Sequence, residues 1–283
     1  KGGNQQKGSQ RGQPQWGDWL HEKRWVQQLA DRCDDPQNLE KYPPYTLSPL
    51  LGLPDPDRQG CVSFQAGTKA WLRVTAMLPQ LSAALLEPES GWVHRLPETI
   101  SLYKNQWRVV GRHTAPEQHF AARQQSIEDL RAALDNPTPP GAWRASFLSP
   151  TGFAGESYGE QQTFFLFPLP HLMIKSWREA WNLYGPFVIP IEVVQAAEKL
   201  LKITGYELWT RKVVRVHSNP KTGHKEVIPT DGWLGRATIQ AFGEIFYRPY
   251  WDLLAQFAIY RGTGHHTTQG FGQTLVISEN EAR

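Results

Sequence analysis

The sequence predicts an α+β fold made of two tandem ferredoxin-like (RRM-like) domains, the second carrying a C-terminal glycine-rich loop. Two observations lead there. Segments of strand-like alternation and of helical apolar spacing follow one another in the order strand, helix, strand, strand, helix, strand, and that rhythm occurs in both halves. The run Asp135-Asn136-Pro137-Thr138-Pro139-Pro140-Gly141 separates the halves, because Pro and Gly at this density end regular structure. The expected division is a flexible tail or loop over 1–15, an N-terminal domain over 16–136 and a C-terminal domain over 141–283.

In chain order, residues 1–15 are Gly, Gln and charge without apolar periodicity, a composition that does not pack. Trp16 to Cys33 places Trp16, Leu20, Trp25, Leu29 and Ala30 near helical spacing, with Asp34-Asp35-Pro36 as a stop. Gly60 to Met77 is expected as a hairpin around Gly67-Thr68, Leu78 to Leu86 as a short helix and Thr99 to Arg112 as a strand. Ser126 with Asp129 three residues on is a capping-box pattern and opens a helix ending near Leu134. After the break come a strand from Ala142 to Leu148, a helix from Pro170 to Tyr184 and helical or irregular sequence to Leu201. Strands from Tyr206 to Val216 and Lys225 to Phe242, a helix from Tyr250 to Tyr260 and a strand from Gln273 to Ile277 complete the chain. The first half lacks an evident opening strand.

Composition narrows the function. With 30 Lys+Arg against 27 Asp+Glu among 283 residues, the chain is not a strongly basic tail protein, and 40% hydrophobic with 12% aromatic residues supplies real cores. No stretch approaches the roughly 20 apolar residues needed to span a bilayer, so a cytoplasmic protein without a membrane partner is expected. Cys33 and Cys61 have no metal-ligand spacing. His-Glu-x-x-His, clustered aspartates and a Gly-x-Ser-x-Gly elbow are all missing from the sequence. Any chemistry is therefore expected to need neither metal nor cofactor.

Three clusters are candidates for a site. The run from Arg261 to Gln273 holds Gly262, Gly264, Gly270 and Gly272 with His265, His266, Thr267 and Thr268 between them. Glycine lets a backbone approach a phosphate chain closely, although a tight turn closing a sheet has the same composition. Trp209 to Lys225 carries Arg211, Lys212, Arg215, Lys221 and Lys225 with no acid until Glu226, either a basic ribbon for a nucleic-acid backbone or an edge strand protected by lysines. His171, Lys175 and Arg178 share one face of a helix, a cationic stripe or simply a solvated side. For acid–base work His21, with Lys41 and Tyr42 as secondary candidates, combines a group titrating near neutrality with a cation for charge developing on phosphate.

Several of these segments together resemble a known family. Gly262-Thr-Gly-His-His-Thr-Thr-Gln-Gly-Phe-Gly-Gln273, Ser146-Phe-Leu-Ser-Pro-Thr-Gly-Phe153, Phe167-Pro-Leu-Pro170 ahead of Trp177-Arg-Glu-Ala-Trp-Asn182, and Gly232-Trp-Leu-Gly-Arg-Ala-Thr238 are similar to motifs of the CRISPR-associated endoribonucleases of Cas family six. Those enzymes cut precursor CRISPR RNA within its repeats. The resemblance implies two ferredoxin-like domains, repeat RNA as partner, and metal-independent attack of a 2′-hydroxyl on the adjacent phosphate, leaving a 2′,3′-cyclic phosphate and a 5′-hydroxyl. It puts the four loop glycines on the RNA, with His266 where a Lys is common, and points to His21 as the histidine placed in the first helix. Two alternatives stand beside it: a non-cleaving subunit that holds CRISPR RNA among other Cas effector subunits, and an interaction protein whose twelve tryptophans form interfaces.

Overall fold

In the second half, four strands form one antiparallel sheet. They are β5 (Ala142–Thr151), β8 (Leu201–Ser218), β9 (Lys225–Ala241) and β10 (Thr274–Ser278), in spatial order β10-β5-β9-β8. Helices α4 (Pro170–Tyr184) and α5 (Glu192–Leu200) connect β5 to β8, and α6 (Arg248–Arg261) connects β9 to β10. Strand, helix, strand, strand, helix, strand with the first strand between the third and the last is the ferredoxin-like topology. The computed structural model describes residues 43–53, 62–87, 91–102, 105–158, 161–218, 225–243 and 246–279. The tail, the helix expected at Trp16 to Cys33, and His21, Lys41, Tyr42 and Lys221 lie outside them.

Alternation along the strands decides which face carries the helices. Trp143, Ala145 and Phe147 of β5 pair with Ile239, Ala237 and Gly235 of β9, and all six are buried. Their neighbours Arg144, Arg236 and Gln240 are exposed, so the other face of the sheet is polar. Onto the buried face α4 sets Met173, Ile174 and Trp177 and α6 sets Trp251 and Ala255, all meeting Trp143, Leu201 and Ile239. Buried tryptophans need a partner for the indole N–H. Trp143 donates to Asp252 Oδ1 at 2.8 Å, Trp251 to the Val193 carbonyl at 3.1 Å and Trp181 to that of Phe187 at 3.1 Å. These tryptophans are core, which removes them from the interface reading. Prolines open α4 and α6 in the first turn, where their missing N–H costs nothing.

The sequence-expected elements of this half are present, with two additions. A hairpin of β6 (Phe153–Tyr158) and β7 (Gln161–Phe165) fills the stretch before α4, and the helical or irregular stretch after α4 contains α5. Both carry weak signals: β6 and β7 are short and polar, and α5 is only nine residues long.

The first half departs further from expectation. Gln65 to Thr68 is a turn, with Thr68 N–H donating to the Gln65 carbonyl at 3.1 Å, but its flanks do not pair as a hairpin. Instead β2 (Val74–Ala76) pairs antiparallel with β1 (Tyr45–Leu47), and Leu51 bridges Trp71. A more distant partner won because β1 offers buried Tyr45 and Thr46 against β2. α1 (Pro79–Leu86) buries Leu81 and Leu85 as expected, and α2 (Trp92–Arg95) follows it. The single strand expected at Thr99 to Arg112 is a hairpin of β3 (Thr99–Leu102) and β4 (Asn105–Arg108). The Ser126 capping box is present: Ser126 Oγ accepts from Asp129 N–H at 3.0 Å while Asp129 Oδ2 accepts from Ser126 N–H at 2.9 Å, opening α3 (Ile127–Arg131). The backbone N–H of Ser126, and next its hydroxyl, hold the Asp129 carboxyl below its ordinary value. A 3-10 turn, Ala132–Asp135, ends this segment.

What ties the first half to the second is the C-terminus of α6, within the compact unit Pro44–Arg283. Arg73 donates from Nη2 to the Ile259 carbonyl, and Thr75 Oγ1 donates to the Tyr260 carbonyl at 2.5 Å. These are last-turn carbonyls without intrahelical partners, at the negative end of the helix dipole. Burial lowers Arg73 to about 10, which leaves it cationic at neutral pH. Arg73→Met removes the charge and strands a buried carbonyl. It is expected to destabilise the protein by about 2–3 kcal/mol, read as a lower denaturation midpoint at unchanged m-value.

Candidate nucleic-acid interface

From the end of α6 the chain enters the glycine-rich loop. Gly262 takes φ +71° and its N–H donates back to the Ala258 carbonyl at 2.8 Å, terminating the helix. Gly264, Gly270 and Gly272 also have positive φ, at +80°, +95° and +67°. A Cβ on Gly264 would stand 2.2 Å from the Gly152 carbonyl oxygen, and one on Gly272 2.1 Å from that of Thr263. Both conformation and space therefore demand glycine at these two positions.

The loop is a folded-back layer. Thr263 N–H donates to the Gly272 carbonyl at 2.8 Å, Gly272 N–H to that of Pro150 at 2.9 Å and His265 N–H to that of Gly152 at 3.2 Å. Gly264 N–H donates to Ser176 Oγ at 3.2 Å and Gln273 N–H to Ser149 Oγ at 2.9 Å. Trp177 of α4 donates to Thr263 Oγ1 at 3.1 Å, and Arg261 donates to Thr267 Oγ1. Gly262, Gly264, Gly270, Gly272 and Thr267 are buried, while His265, His266 and Thr268 are half-buried and Gln269 is exposed. The glycines thus serve close backbone approach inside the protein, and the crest that meets solvent is His265, His266, Thr268 and Gln269.

Two histidines are fixed by this layer. His265 donates from Nδ1 to the Gly152 carbonyl at 2.6 Å, and its ring stacks on Phe164 of β7 at 4.9 Å between centroids. A carbonyl can only accept, so Nδ1 carries the proton. His266 adopts left-handed backbone geometry, φ 56° and ψ 29°, and lies edge-on to His265 at 4.5 Å. Sequence reasoning missed Phe164, which sits on a hairpin with too little apolar alternation to be found.

The other cations divide. Lys175 is exposed on α4. Arg178 instead donates from Nε to the Ile189 and Pro190 carbonyls at 2.7 and 3.1 Å, holding the connection into α5. On β8, Lys212 is exposed and Arg211 half-buried, opposite Asp231 and Gly232. Arg215 lies opposite Ile228 in the same long ribbon. The exposed sheet face adds Arg144 and Arg236, which alternation along β5 and β9 could have revealed. No group of three or more His, Cys, Asp or Glu side chains suited to a metal ion occurs among the described residues, and none of their helices is long and apolar enough to cross a membrane.

A ferredoxin-like sheet with a glycine-rich loop packed against it and a long basic β-ribbon defines the class of this protein as α+β. Residues 145–274 match the family model described as CRISPR-associated endoribonuclease Cas6. Among solved structures, it resembles the "Cas6 (TTHB231) product complex" at 20% identity and a TM-score of 0.61, over 94% of this chain and 95% of the other. The same protein, Thermus thermophilus Cas6 (TTHB231), is also matched at 19% identity and a TM-score of 0.56, over 94% of both chains. The "Cas6 (TTHA0078) product complex" matches at 23% identity and a TM-score of 0.59, over 90% of each chain. These likenesses show that the fold extends over nearly the whole chain. No curated protein sequence matches it.

The loop geometry yields a comparison of two glycines. Gly67 has φ +87° and open space where a Cβ would stand, so Gly67→Ala is expected to cost only the conformational strain, about 1–2 kcal/mol. Gly264→Ala must in addition displace the Gly152 backbone. It is expected to cost at least twice as much, measured by thermal or denaturant unfolding of the two variants side by side.

Proposed function

We propose that the protein is an endoribonuclease that cleaves precursor CRISPR RNA within its repeats. The observation that carries this reading is the match of residues 145–274 to the Cas6 family model, a stretch that contains the whole of the basic ribbon and of the glycine-rich loop. In this reading 141–283 is the RNA-binding domain and 16–136 the domain that supplies catalytic groups. RNA lies along Arg211, Lys212 and Arg215 of the β8–β9 ribbon and against the crest of the loop, with Lys175 on α4 as a further cation. The partner is repeat RNA; two of the similar solved structures are product complexes.

The reaction is a metal-independent transesterification. A base takes the proton of the 2′-hydroxyl, whose oxygen attacks the adjacent phosphorus. The bond to the 5′-oxygen then breaks, an acid protonates that oxygen, and cations offset the charge on the pentacoordinate phosphate. The products are a 2′,3′-cyclic phosphate and a 5′-hydroxyl. His21 is our choice for the base, with Lys41 and Tyr42 as the secondary candidates.

Two experiments test this reading. Repeat RNA incubated with the protein in EDTA is expected to be cut, and the same RNA with a 2′-deoxy sugar at the cleavage position is expected to stay intact. His21→Ala is expected to abolish cutting with repeat affinity nearly unchanged. Normal cleavage by that variant would remove His21 from the mechanism, and binding without cleavage by the wild type would favour a non-cleaving subunit. For the ribbon, Lys212→Ala with Arg215→Ala is expected to reduce the slope of log affinity against log salt by about 0.7–0.9 for each phosphate no longer neutralised. An unchanged slope would remove the ribbon from the interface.

A further inference from the structure

A group of rings in the first half is used by nothing described so far. Trp71 and Phe120 meet edge to face, with centroids 5.5 Å apart at 85°. His119 packs against both, 4.9 Å from Trp71 and 4.7 Å from Phe120, and His113 stacks on His119 at 5.9 Å and 12°. A small core would be closed over. Here Phe120 is 58% exposed and His113 is also exposed, so ring faces are left to solvent.

The backbone that presents these rings is built to hold them. Gln118 Oε1 accepts from the N–H groups of Thr114 and Ala115 at 3.0 and 3.3 Å, and Gln118 N–H donates to the Ala115 carbonyl at 3.1 Å. Ala121 N–H donates to His119 Nδ1 at 3.2 Å, which fixes the ring as an acceptor on that side and leaves Nε2 to carry the proton of the neutral form. Burial, and next the neighbouring His113, lower the His119 pKa, in keeping with a neutral ring.

Position and charge say what the rings face. Trp71 bridges Leu51, and two residues before Leu51, Pro49 lies against the loop glycine Gly270, whose Cβ would come 3.3 Å from Pro49 N. The Pro49 to Leu51 segment therefore links the backbone that carries Trp71 to the glycine-rich loop. The flanking sequence is cationic: Lys69 precedes Trp71, and Arg108, Arg112 and Arg123 flank the histidines with Glu117 as the one acid from 108 to 123, Arg112 donating to the Leu96 carbonyl at 2.8 Å. Open ring faces with surrounding cations suit a flat, negatively charged ligand better than an apolar protein surface.

We propose that Trp71, His113, His119 and Phe120 form a stacking site for an unpaired base of the bound RNA, where the strand leaves the glycine-rich loop. This rests on the RNA-binding reading above. Phe120 supplies the open face and His113 the second ring. Trp71 and His119 set their positions, and the cations of the flanking sequence favour the approach of a phosphate backbone. Stacking tolerates any base, so the site adds affinity with little sequence preference.

The test uses the full chain and its cognate repeat RNA carrying 2-aminopurine at each unpaired position in turn. The wild type is expected to quench the fluorescence of one or two adjacent positions. Phe120→Ala with His113→Ala is expected to lose that quenching and about tenfold in affinity, while Phe120→Trp retains both. Lys212→Ala with Arg215→Ala is expected to weaken binding yet keep the quenching in the saturated complex. Equal affinity and equal quenching in the Phe120→Ala, His113→Ala variant would overturn the proposal and leave the patch as a protein-facing surface. If the wild type binds no repeat RNA at all, the RNA-binding reading itself falls, a result distinct from the previous one.

Discussion

The structure depends on how the last turn of α6 is closed. A helix that ends inside a protein leaves carbonyls that must find donors, and here they come from Arg73 and Thr75 of the first half, 185 or more residues away in sequence. Thr46 Oγ1 reinforces this junction, 2.5 Å from Thr75 Oγ1 and 3.4 Å from the Tyr260 carbonyl. One helix end thus joins β1 and β2 to the second-half sheet and fixes where the glycine-rich loop begins. The phenol of Tyr260, donating to Gln125 Oε1 at 3.1 Å, is pushed up to about 12 chiefly by burial, so it stays neutral there.

From that fixed start the loop is determined by packing. Thr263 is held by Trp177 and Thr274, Gly264 by Ser176, and Gln273 by Ser149 and Thr46, so α4, β5, β10 and the first half all grip one segment. A loop held this way is rigid before any ligand arrives, which in the proposed RNA complex saves the ordering entropy that a free loop would lose on binding. The rings at Trp71 to Phe120 stand on the same support through Leu51.

Much of this was legible in the sequence because it depends on local patterns. Pro170 to Tyr184 announces its helix by proline, apolar stripe and a terminal glycine, and the strand Ala142 to Leu148 announces itself by alternation. The Ser126 cap needs only residues three apart. What was not legible depends on partners distant in the chain. Gly67-Thr68 looks like a hairpin turn, yet Val74 to Ala76 pairs with Tyr45 to Leu47 because burial against α6 outweighs the local turn. The loop glycines were recognisable, but that this segment's N–H groups satisfy Pro150, Gly152 and Ser176 could not be read from spacing. Arg178 shares a helix face with Lys175 and spends its guanidinium on the α4–α5 connection, while Phe164 and the ring group around His119 carry no sequence motif.

In the proposed reaction the RNA supplies its own nucleophile, and the protein only positions, polarises and moves protons. The most direct measurement is the chemistry of the cut ends, by mass spectrometry of RNA fragments from a short incubation. The predicted result is an upstream fragment lighter by one water than its 3′-phosphate form, as a cyclic phosphate must be, and a downstream fragment with a free 5′-hydroxyl. A 3′-hydroxyl paired with a 5′-phosphate would contradict it, because that outcome requires water to attack from outside the RNA.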